Sequence, residues 1–342
     1  MKILVLGGTV FIGRHIVESA LIRGHTVSVF NRGRENRELF PDIEKLRGDR
    51  HSDLEALKGK NWDVVIDASG YMPKAVRLSS ETLVNSVERY IYISTQSVYQ
   101  EISHRELDET FPTRQLSQEE LAAAENLSVG DFPTGYSYEA YYGGLKAECE
   151  KEVRDVLTNR VMVVRPGVVV GPHDYTNRLA YWISRISKGG EVLCPNHPQI
   201  PVRYIDVRDL AEWIILSAEN RSTGVYNTLG PTELTFGELL STCKTIANSD
   251  AKLTWINEKE LLERNVQHWT DLPLWLSSNL EGFFFSKDKR AIHKGMQYRS
   301  VDQTVKDTFD WLKETDSHFR ISQGLSAERE DELLKSIACK EP

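Results

Sequence analysis

Residues 2–24 read KILVLGGTVFIGRHIVESALIRG and combine a short apolar run, two glycines and an amphipathic segment, in that order. The run from Ile3 to Leu6 is rich in aliphatic side chains and predicts a buried strand. Beyond the glycines, apolar residues recur at helical spacing at Ile12, Ile16, Val17, Ala20 and Leu21. Gly24 is a natural helix stop. The stretch therefore predicts a strand, a glycine turn and a helix.

The same alternation continues along the first half of the chain. Further short runs rich in Val and Ile predict strands at Val27–Phe30, Val64–Asp67, Tyr90–Ser94 and Val161–Arg165. Because strands that alternate with helices form parallel sheets covered on both faces, this pattern predicts an α/β fold with a doubly wound parallel sheet. Helices are predicted farther on, near residues 178–187, 207–218 and 236–247 and from residue 326 onward.

The composition excludes several classes of protein. Of the 342 residues, 40% are hydrophobic and 27% are charged, which is typical of a globular protein and excludes disorder and collagen-like repeats. The net charge of −8 disfavours nucleic acid as a partner. The four cysteines show no metal-ligand or disulfide spacing, so we expect reduced thiols, a cytoplasmic location and no metal site. No apolar run approaches the roughly 20 residues that span a bilayer, so no membrane segment is predicted.

Two segments fall outside the alternation. Residues 101–135 lack a sustained apolar face, which predicts a long, partly helical surface loop that could cover a cleft. Residues 268–285 are rich in Trp, Leu and Phe. We expect this second segment to pack onto the core, with a partner or an apolar ligand as the alternatives.

The glycine turn has the layout of a phosphate-binding site. A strand that ends in glycines and opens a helix directs backbone N–H groups and the positive helix end at one point, where the pyrophosphate of a dinucleotide binds. We therefore expect cofactor contacts from Gly7, Thr9, Val10, Phe11, Ile12 and Gly13. The alternative is a tight turn that needs glycine for structural reasons alone.

The residues after the second predicted strand bear on the type of dinucleotide. A carboxylate at this place usually accepts hydrogen bonds from the ribose hydroxyls of NAD. This chain has Asn31 instead, followed by Arg32 and Arg34. Guanidinium groups suit an added 2′-phosphate, so the pattern favours NADP over NAD, with solvated surface arginines as the alternative.

A tyrosine and a lysine four residues apart form the candidate catalytic pair. Tyr142 and Lys146 lie on one face of a predicted helix. A nearby ammonium favours the phenolate and lowers the pKa of a tyrosine, which makes it a usable acid or base. Gly143 and Gly144 weaken the helix and indicate that something approaches its backbone closely. The alternative is a surface aromatic beside a solvated lysine.

Four motifs together resemble the extended short-chain dehydrogenase/reductase superfamily, in its NAD-dependent epimerase/dehydratase branch. They are Gly-Gly-Thr-x-Phe-Ile-Gly at residues 7–13, Ile-Ser-Thr-Gln-Ser-Val-Tyr at 93–99, Tyr-x-x-x-Lys at 142–146 and Arg-Pro-Gly-Val-Val-Val-Gly-Pro at 165–172. The resemblance implies a Rossmann-like dinucleotide-binding domain at residues 1–170, to which parts of 200–230 return. It also implies a smaller C-terminal substrate lobe, mainly at 171–315, and a helical tail at 316–342.

The resemblance also implies roles for individual residues. Thr95 would hydrogen-bond the reacting oxygen, Tyr142 would be the acid/base, and Lys146 would hold the nicotinamide ribose and tune Tyr142. The remaining cofactor contacts would come from Asp49, Arg50, Ala68, Ser69, Gly70, Pro166 and Val168. Without the pair at 142 and 146, Thr95 would as readily be a strand-end cap.

Two positions depart from the family pattern. Val10 stands where a middle glycine is usual, and a similar start occurs in RNA-associated members of the superfamily. Gln96 and Ser97 replace the Asp-Glu pair of sugar-nucleotide 4,6-dehydratases, and an amide cannot do the proton transfers that dehydration needs. Dehydration is therefore disfavoured.

Several residues are candidates for contact with the substrate. Candidate substrate contacts are Ser97, Tyr99, His173, Arg178 and Arg203, for which a turn residue or an ion pair is the alternative at several positions. We expect an NADP(H)- or NAD(H)-dependent oxidoreductase or epimerase that acts on a hydroxyl or carbonyl group of a small molecule, sugar-nucleotide-like or more apolar. The alternative is a catalytically weak, cofactor-sensing or RNA-associated protein. The resemblance also implies a homodimer.

Overall fold

The computed structural model describes residues 1–130, 134–280, 282–315 and 323–339. These residues divide into two compact units. The first comprises Met1–Gly167, Val207–Leu229 and Phe285–Gln297, and the second comprises Val168–Asp206, Gly230–Phe284 and Tyr298–Pro342. The first unit thus includes residues 285–297, which lie within the range 171–315 that the family resemblance implies mainly for the substrate lobe.

The first unit is built on a parallel sheet, which confirms the predicted fold class. Its strands are β1 (Lys2–Leu6), β2 (Thr26–Asn31), β3 (Glu44–Arg47), β4 (Trp62–Asp67), β5 (Val87–Ile93), β6 (Val161–Pro166) and, farther along the chain, β10 (Gly224–Thr228). Their order in the sheet is β10-β6-β5-β4-β1-β2-β3. The direction of strand addition reverses between β1 and β4, and ligands of open α/β sheets bind at the carboxyl ends of strands beside such a reversal.

The helices of the first unit are α1 (Phe11–Ile22), α2 (Pro73–Leu83), α3 (Gln118–Glu125), α4 (Tyr142–Leu157), α6 (Val207–Glu219) and α10 (Lys289–His293). The helix α1 packs against α6, and α2 packs against α4. The interior of β1, from Ile3 to Leu6, is at most 1% exposed, as expected for a strand covered on both faces.

The sequence pattern missed β3 and β10, the two edge strands of this sheet. Only Leu46 of the four residues of β3 is buried, and β10 begins with an exposed glycine. These edge strands lack the continuous apolar run by which the five central strands are recognised.

The second unit has its own hydrophobic core. Its helices are α5 (Arg178–Ser187), α7 (Phe236–Ile246), α8 (Glu258–Glu263), α9 (Gly282–Phe285), α11 (Val301–Glu314) and α12 (Ala327–Ala338). Its strands pair as β7 (Val169–Val170) with β9 (Ile205–Asp206) and as β8 (Glu191–Pro195) with β11 (Lys252–Ile256). The aromatic segment contributes Leu272, Leu274 and Trp275 to this core, as we expected of it.

Neither a membrane-spanning helix nor a group of metal-ligating side chains is present among the described residues. No helix there has the length and apolar character required to cross a bilayer. Nor do His, Cys, Asp and Glu side chains gather there in a group of three or more that could hold a metal ion.

Candidate active site and nucleotide site

The glycine turn connects β1 to α1, and at this turn the backbone of the helix lies close to the backbone of the turn. Gly7 and Gly8 have φ of +108° and +88°, which glycine adopts readily. A Cβ on Gly8 would lie 2.6 Å from Cγ1 of Val29, and a Cβ on Gly13 would lie 2.7 Å from the backbone nitrogen of Gly8. Glycine at these positions therefore lets the helix pack directly on its strand.

The start of α1 fits a phosphate group. Val10 is the N-cap residue, in extended conformation, and no described side chain forms a capping hydrogen bond there. The first turn of the helix carries no acidic residue. The positive end of α1 therefore meets neither a capping side chain nor a first-turn carboxylate, which is the arrangement that anions bind. Because Val10 is extended, its backbone does not require glycine. The neighbouring residue with a positive φ is Phe11, at +34°.

Two amide side chains hold the turn in place. Asn31, at the end of β2, donates from Nδ2 to the carbonyl of Gly7 at 2.9 Å, and its Oδ1 accepts the N–H of Gly33 at 2.9 Å. Asn36 donates to the carbonyl of Thr9 at 2.8 Å. Asn31 therefore supports the glycine turn, while Arg32 and Arg34 beside it are exposed.

The carboxyl end of β4 carries a buried ion pair. Arg50 donates to both carboxylate oxygens of Asp67, each at 2.8 Å, and Asp67 is fully buried. Burial would raise the pKa of Asp67, but the charge and hydrogen bonds of Arg50 hold that pKa below its usual range. The guanidinium of Arg50 thus stabilises the strand end. Asp49 beside it accepts the N–H of His51 at 2.9 Å.

Residues 68–70 continue from β4 alongside the glycine turn. The backbone N–H of Ala68 donates to the carbonyl of Leu6 at 3.2 Å, and the hydroxyl of Ser69 donates to the same carbonyl at 3.1 Å. A Cβ on Gly7 would lie 3.4 Å from Cβ of Ser69. The structure therefore brings Ser69 next to Gly7, and the assignment of both residues as cofactor contacts stays a prediction.

The start of α4 packs closely against the loop that follows β5. A Cβ on Gly143 would lie 2.1 Å from the carbonyl oxygen of Ser97, and a Cβ on Gly144 would lie 2.4 Å from Cδ2 of Leu116. The expected close approach to these two glycines is thus present in the structure. It places the first turn of α4, with Tyr142, beside the segment that contains Thr95.

The ammonium of Lys146 is buried between the ends of two strands. Its Nζ donates to the carbonyl of Gly70 at 2.7 Å and to the carbonyl of Ile93 at 2.6 Å. The same Nζ lies 4.4 Å from the ring centroid of Tyr92, whose hydroxyl also donates to Gly70, at 2.9 Å. Burial lowers the pKa of Lys146 to about 8. The lysine therefore lies at the carboxyl edge of β4 and β5, next to the strand reversal.

Tyr142 belongs to a small aromatic cluster. Its ring centroid lies 6.3 Å from that of Tyr71, which stacks on Tyr138 at 5.5 Å. Tyr142 is half-buried. Nζ of Lys146 lies 5.4 Å from the centroid of Tyr71, so one tyrosine ring is close to both members of the candidate pair. The cluster includes Leu116 and Ala124, which belong to the segment predicted to cover a cleft.

Thr95 is the N-cap of a 3₁₀ turn, Gln96–Val98, that follows β5. Its Oγ1 accepts the N–H of Ser97 at 3.2 Å and donates to the Ser97 hydroxyl at 3.3 Å. This is the strand-end cap that stood as the alternative to a catalytic role. A hydroxyl has a second lone pair for a ligand, so capping does not exclude that role. Gln96 is buried and donates to the hydroxyl of Ser286 at 2.9 Å.

A buried carboxylate that the sequence pattern missed ties three elements of the site together. Glu150 lies one turn after Lys146 on α4 and is fully buried. It accepts two hydrogen bonds from Arg165, at 2.9 and 2.7 Å, and one from Ser94 at 2.6 Å. Because Ser94 follows β5 and Arg165 precedes Pro166 on β6, Glu150 joins α4 to the ends of both strands. Its spacing, i + 8 from Tyr142 and i + 4 from Lys146, could have revealed it.

Tyr99 is part of the interior. It is 2% exposed, and its hydroxyl donates to Oδ1 of Asn227 at 2.7 Å. The guanidinium of Arg165 lies 5.0 Å from the centroid of its ring. Its sequence-based assignment as a substrate contact stays a prediction.

The remaining predicted contacts lie in the second unit. Val168 is buried, and its carbonyl accepts the N–H of Ile205 at 2.8 Å. His173 has a φ of +65°, as a turn residue would, and its ring lies 5.3 Å from that of Trp311.

Two arginines of the second unit contact its own residues. Arg178 lies over Trp269, 4.5 Å from the ring centroid. Arg203 is buried and donates to the carbonyls of Gly230 at 2.9 Å and Phe284 at 3.3 Å.

Comparison with known proteins agrees with the motifs. The chain is 24% identical over 337 residues to the chloroplast stem-loop binding protein of 41 kDa b of Arabidopsis thaliana, covering 92% of this chain and 76% of that protein. It is 23% identical over 239 residues to the 2-alkyl-3-oxoalkanoate reductase of Stenotrophomonas maltophilia (strain K279a), covering 64% of this chain and 66% of that enzyme.

Solved structures share the fold. MoeE5 in complex with UDP-glucose and NAD superimposes with a TM-score of 0.63 at 18% sequence identity, over 92% of this chain and 99% of that one. A family model described as NAD dependent epimerase/dehydratase family matches residues 3–228. With the glycine turn, the strand order and the Tyr-x-x-x-Lys helix in place, the chain belongs to the NAD-dependent epimerase/dehydratase family.

Proposed function

We propose that this protein catalyses hydride transfer between a nicotinamide dinucleotide and a hydroxyl or carbonyl group of a small molecule, as an oxidoreductase or an epimerase. The observation that carries the proposal is the position of Lys146. Its buried ammonium lies at the carboxyl edge of β4 and β5, on the same helix as Tyr142 and beside the strand reversal where such folds bind ligands.

The residues present fit a dinucleotide. The turn at Gly7 and Gly8 and the start of α1 would hold the diphosphate, since the helix end offers N–H groups and a positive potential. Ser69, next to Gly7, would lie along the adenosine, and Pro166 at the end of β6 would lie along the nicotinamide. When bound, the nicotinamide would donate a hydride to the substrate or accept one from it.

The proton transfer is assigned to Tyr142. In the reductive direction its phenol donates a proton to the carbonyl oxygen of the substrate, and in the oxidative direction the phenolate takes a proton from the hydroxyl. The ammonium of Lys146 favours the phenolate because an adjacent positive charge lowers the pKa of a tyrosine. Thr95 would orient the reacting oxygen: its second lone pair would accept the O–H of a substrate hydroxyl, or its own O–H would turn from Ser97 to a substrate carbonyl.

The cofactor preference, the reaction type and the substrate class are part of the proposed function. NADP is the preferred cofactor because arginines rather than a carboxylate follow β2. Dehydration is disfavoured because Gln96 occupies the place of an acid and its amide donates to Ser286. The substrate would be a sugar nucleotide or a more apolar carbonyl compound. A homodimer and a cytoplasmic location stay predictions from the sequence.

A second candidate function is binding of RNA. It is favoured by the similarity, over 92% of this chain, to a protein named for binding a chloroplast stem-loop. The net charge of −8 opposes it, because binding to a phosphate backbone draws on positive charge.

The two candidates are separated by a turnover assay. The protein is incubated with NADPH or NADH and 3-oxo acids, and cofactor oxidation is measured. It is also incubated with NADP+ or NAD+ and a panel of sugar nucleotides, and substrate epimerisation and cofactor reduction are measured. Tyr142→Phe removes only the phenolic hydroxyl and is expected to lower turnover by about 10²-fold or more, with unchanged nucleotide affinity. Equal turnover in both proteins would exclude the assigned role. Salt-sensitive retention of a stem-loop RNA without any turnover would favour the second function.

A further inference from the structure

The carboxyl ends of β2 and β3 place an unexpected arginine beside the glycine turn. Asn31 and Arg47 are direct partners in the register of the two parallel strands. The guanidinium of Arg47 donates to Oδ1 of Asn31. Asn31 in turn donates to the carbonyl of Gly7 at 2.9 Å. One amide side chain therefore connects the guanidinium to the turn that would hold the diphosphate.

Gly33 leaves space for the guanidinium of this arginine. Its φ is +66°, and a Cβ at this position would lie 2.9 Å from Nε and 3.0 Å from Cζ of Arg47. The absence of a side chain thus allows the guanidinium to lie across the backbone of the turn after β2. Arg47 remains exposed there, so a ligand can reach it.

The neutral side chain of Asn31 preserves the positive charge of Arg47. An aspartate at the same position would form an ion pair with the guanidinium and would repel a phosphate. An amide oxygen orients the guanidinium by a hydrogen bond without neutralising it. Oδ1 of Asn31 also accepts the N–H of Gly33 at 2.9 Å, which fixes the amide.

Further charged groups lie at this edge of the sheet. Burial lowers the pKa of His51, the charge of Asp49 opposes that shift, and the charges of Arg50 and Arg32 lower the pKa further. Arg50 is paired with Asp67. The guanidinium of Arg47 thus brings a positive charge next to Asn31, and the charge of Arg32 lies in the vicinity of His51.

We propose that Arg47 recognises the 2′-phosphate of the adenosine ribose of a dinucleotide, in a position set by Asn31 and Gly33, and thereby sets the preference for NADP(H). This inference rests on the proposed function, because it assumes that a nicotinamide dinucleotide binds at the turn. It assigns the selectivity to a residue of β3, whereas the sequence pattern indicated Arg32 and Arg34 only.

The test is the affinity of the intact protein for NADPH and NADH, measured by nucleotide fluorescence. Arg47→Gln keeps a hydrogen-bond donor toward Asn31 and removes the charge. It is expected to weaken NADPH binding by about ten- to a hundredfold, the usual range for a lost charged hydrogen bond. NADH affinity should change by less than about threefold. Arg47→Lys keeps the charge and should restore part of the preference.

A matched control is Arg37→Gln, an exposed arginine of the same connection between β2 and β3. It is expected to leave both affinities unchanged. Equal weakening of NADPH and NADH in Arg47→Gln would overturn the inference, as would an effect of the same size in Arg37→Gln. A wild-type protein that binds NADH as tightly as NADPH would overturn the inference and leave the proposed function standing. Binding of neither nucleotide would overturn both.

Discussion

Replacing Gly143 by alanine tests whether the contact between α4 and the loop after β5 sets the geometry of the site. Helix propensity alone predicts that Gly143→Ala stabilises the protein by up to about 1 kcal/mol. The structure predicts the opposite sign. The new Cβ would lie 2.1 Å from the carbonyl oxygen of Ser97, whereas real Cβ contacts essentially never fall below 3.0 Å. Either the helix or the loop must therefore move by about 1 Å.

The expected cost follows from that movement. Overpacking of this kind destabilises by about 1–3 kcal/mol, which corresponds to a fall in Tm of about 2–6 °C. Because Tyr142 precedes Gly143 directly and Thr95 precedes the contacted loop, the two would separate. A displacement of 1 Å in a catalytic arrangement costs about 10²-fold in turnover. Thermal unfolding followed by circular dichroism measures the first effect, and the NADPH-dependent turnover assay measures the second.

Gly144→Ala is the matched control, one residue along the same helix. Its Cβ would lie 2.4 Å from the end of the Leu116 side chain, which can rotate away, whereas the carbonyl of Ser97 is backbone. The control should lose less stability and less turnover than Gly143→Ala. A higher Tm for Gly143→Ala than for the wild type would contradict this prediction, because it would show that the gain in helix propensity exceeds the cost of the contact with Ser97.

Two further predictions concern α4. Burial lowers the pKa of Lys146 to about 8, so its charge is present below that pH and is lost above it; kcat/KM should fall on the alkaline side of pH 8. In Lys146→Arg, which keeps its charge, this fall should shift to higher pH, and an unshifted profile would contradict the assignment. Glu150→Gln leaves Arg165 buried without its carboxylate and should cost about 3–5 kcal/mol in urea unfolding. The exposed ion pair of Glu152 with Arg77 provides the control, because Glu152→Gln should cost under about 1 kcal/mol; equal costs would argue against the buried pair.

The tertiary arrangement explains which predictions from sequence were incomplete. The spacing of Tyr142 and Lys146 indicated a shared helix face, but not that the ammonium donates to the carbonyls of Gly70 and Ile93. Those carbonyls end two different strands, so their proximity depends on the sheet. Glu150 was missed for a similar reason, because its partners Ser94 and Arg165 come from β5 and β6.

The alternation of strands and helices, the glycine turn and the family motifs can be predicted from the amino-acid sequence, because they depend on local spacing and backbone conformation. The partners of the side chains in the site depend on the folded chain. Asn31 donates to the carbonyl of Gly7 in the glycine turn, and its Oδ1 accepts a hydrogen bond from Arg47 of the neighbouring strand. A parallel sheet brings together residues that are distant in the chain, and local sequence patterns do not specify which of these residues become neighbours.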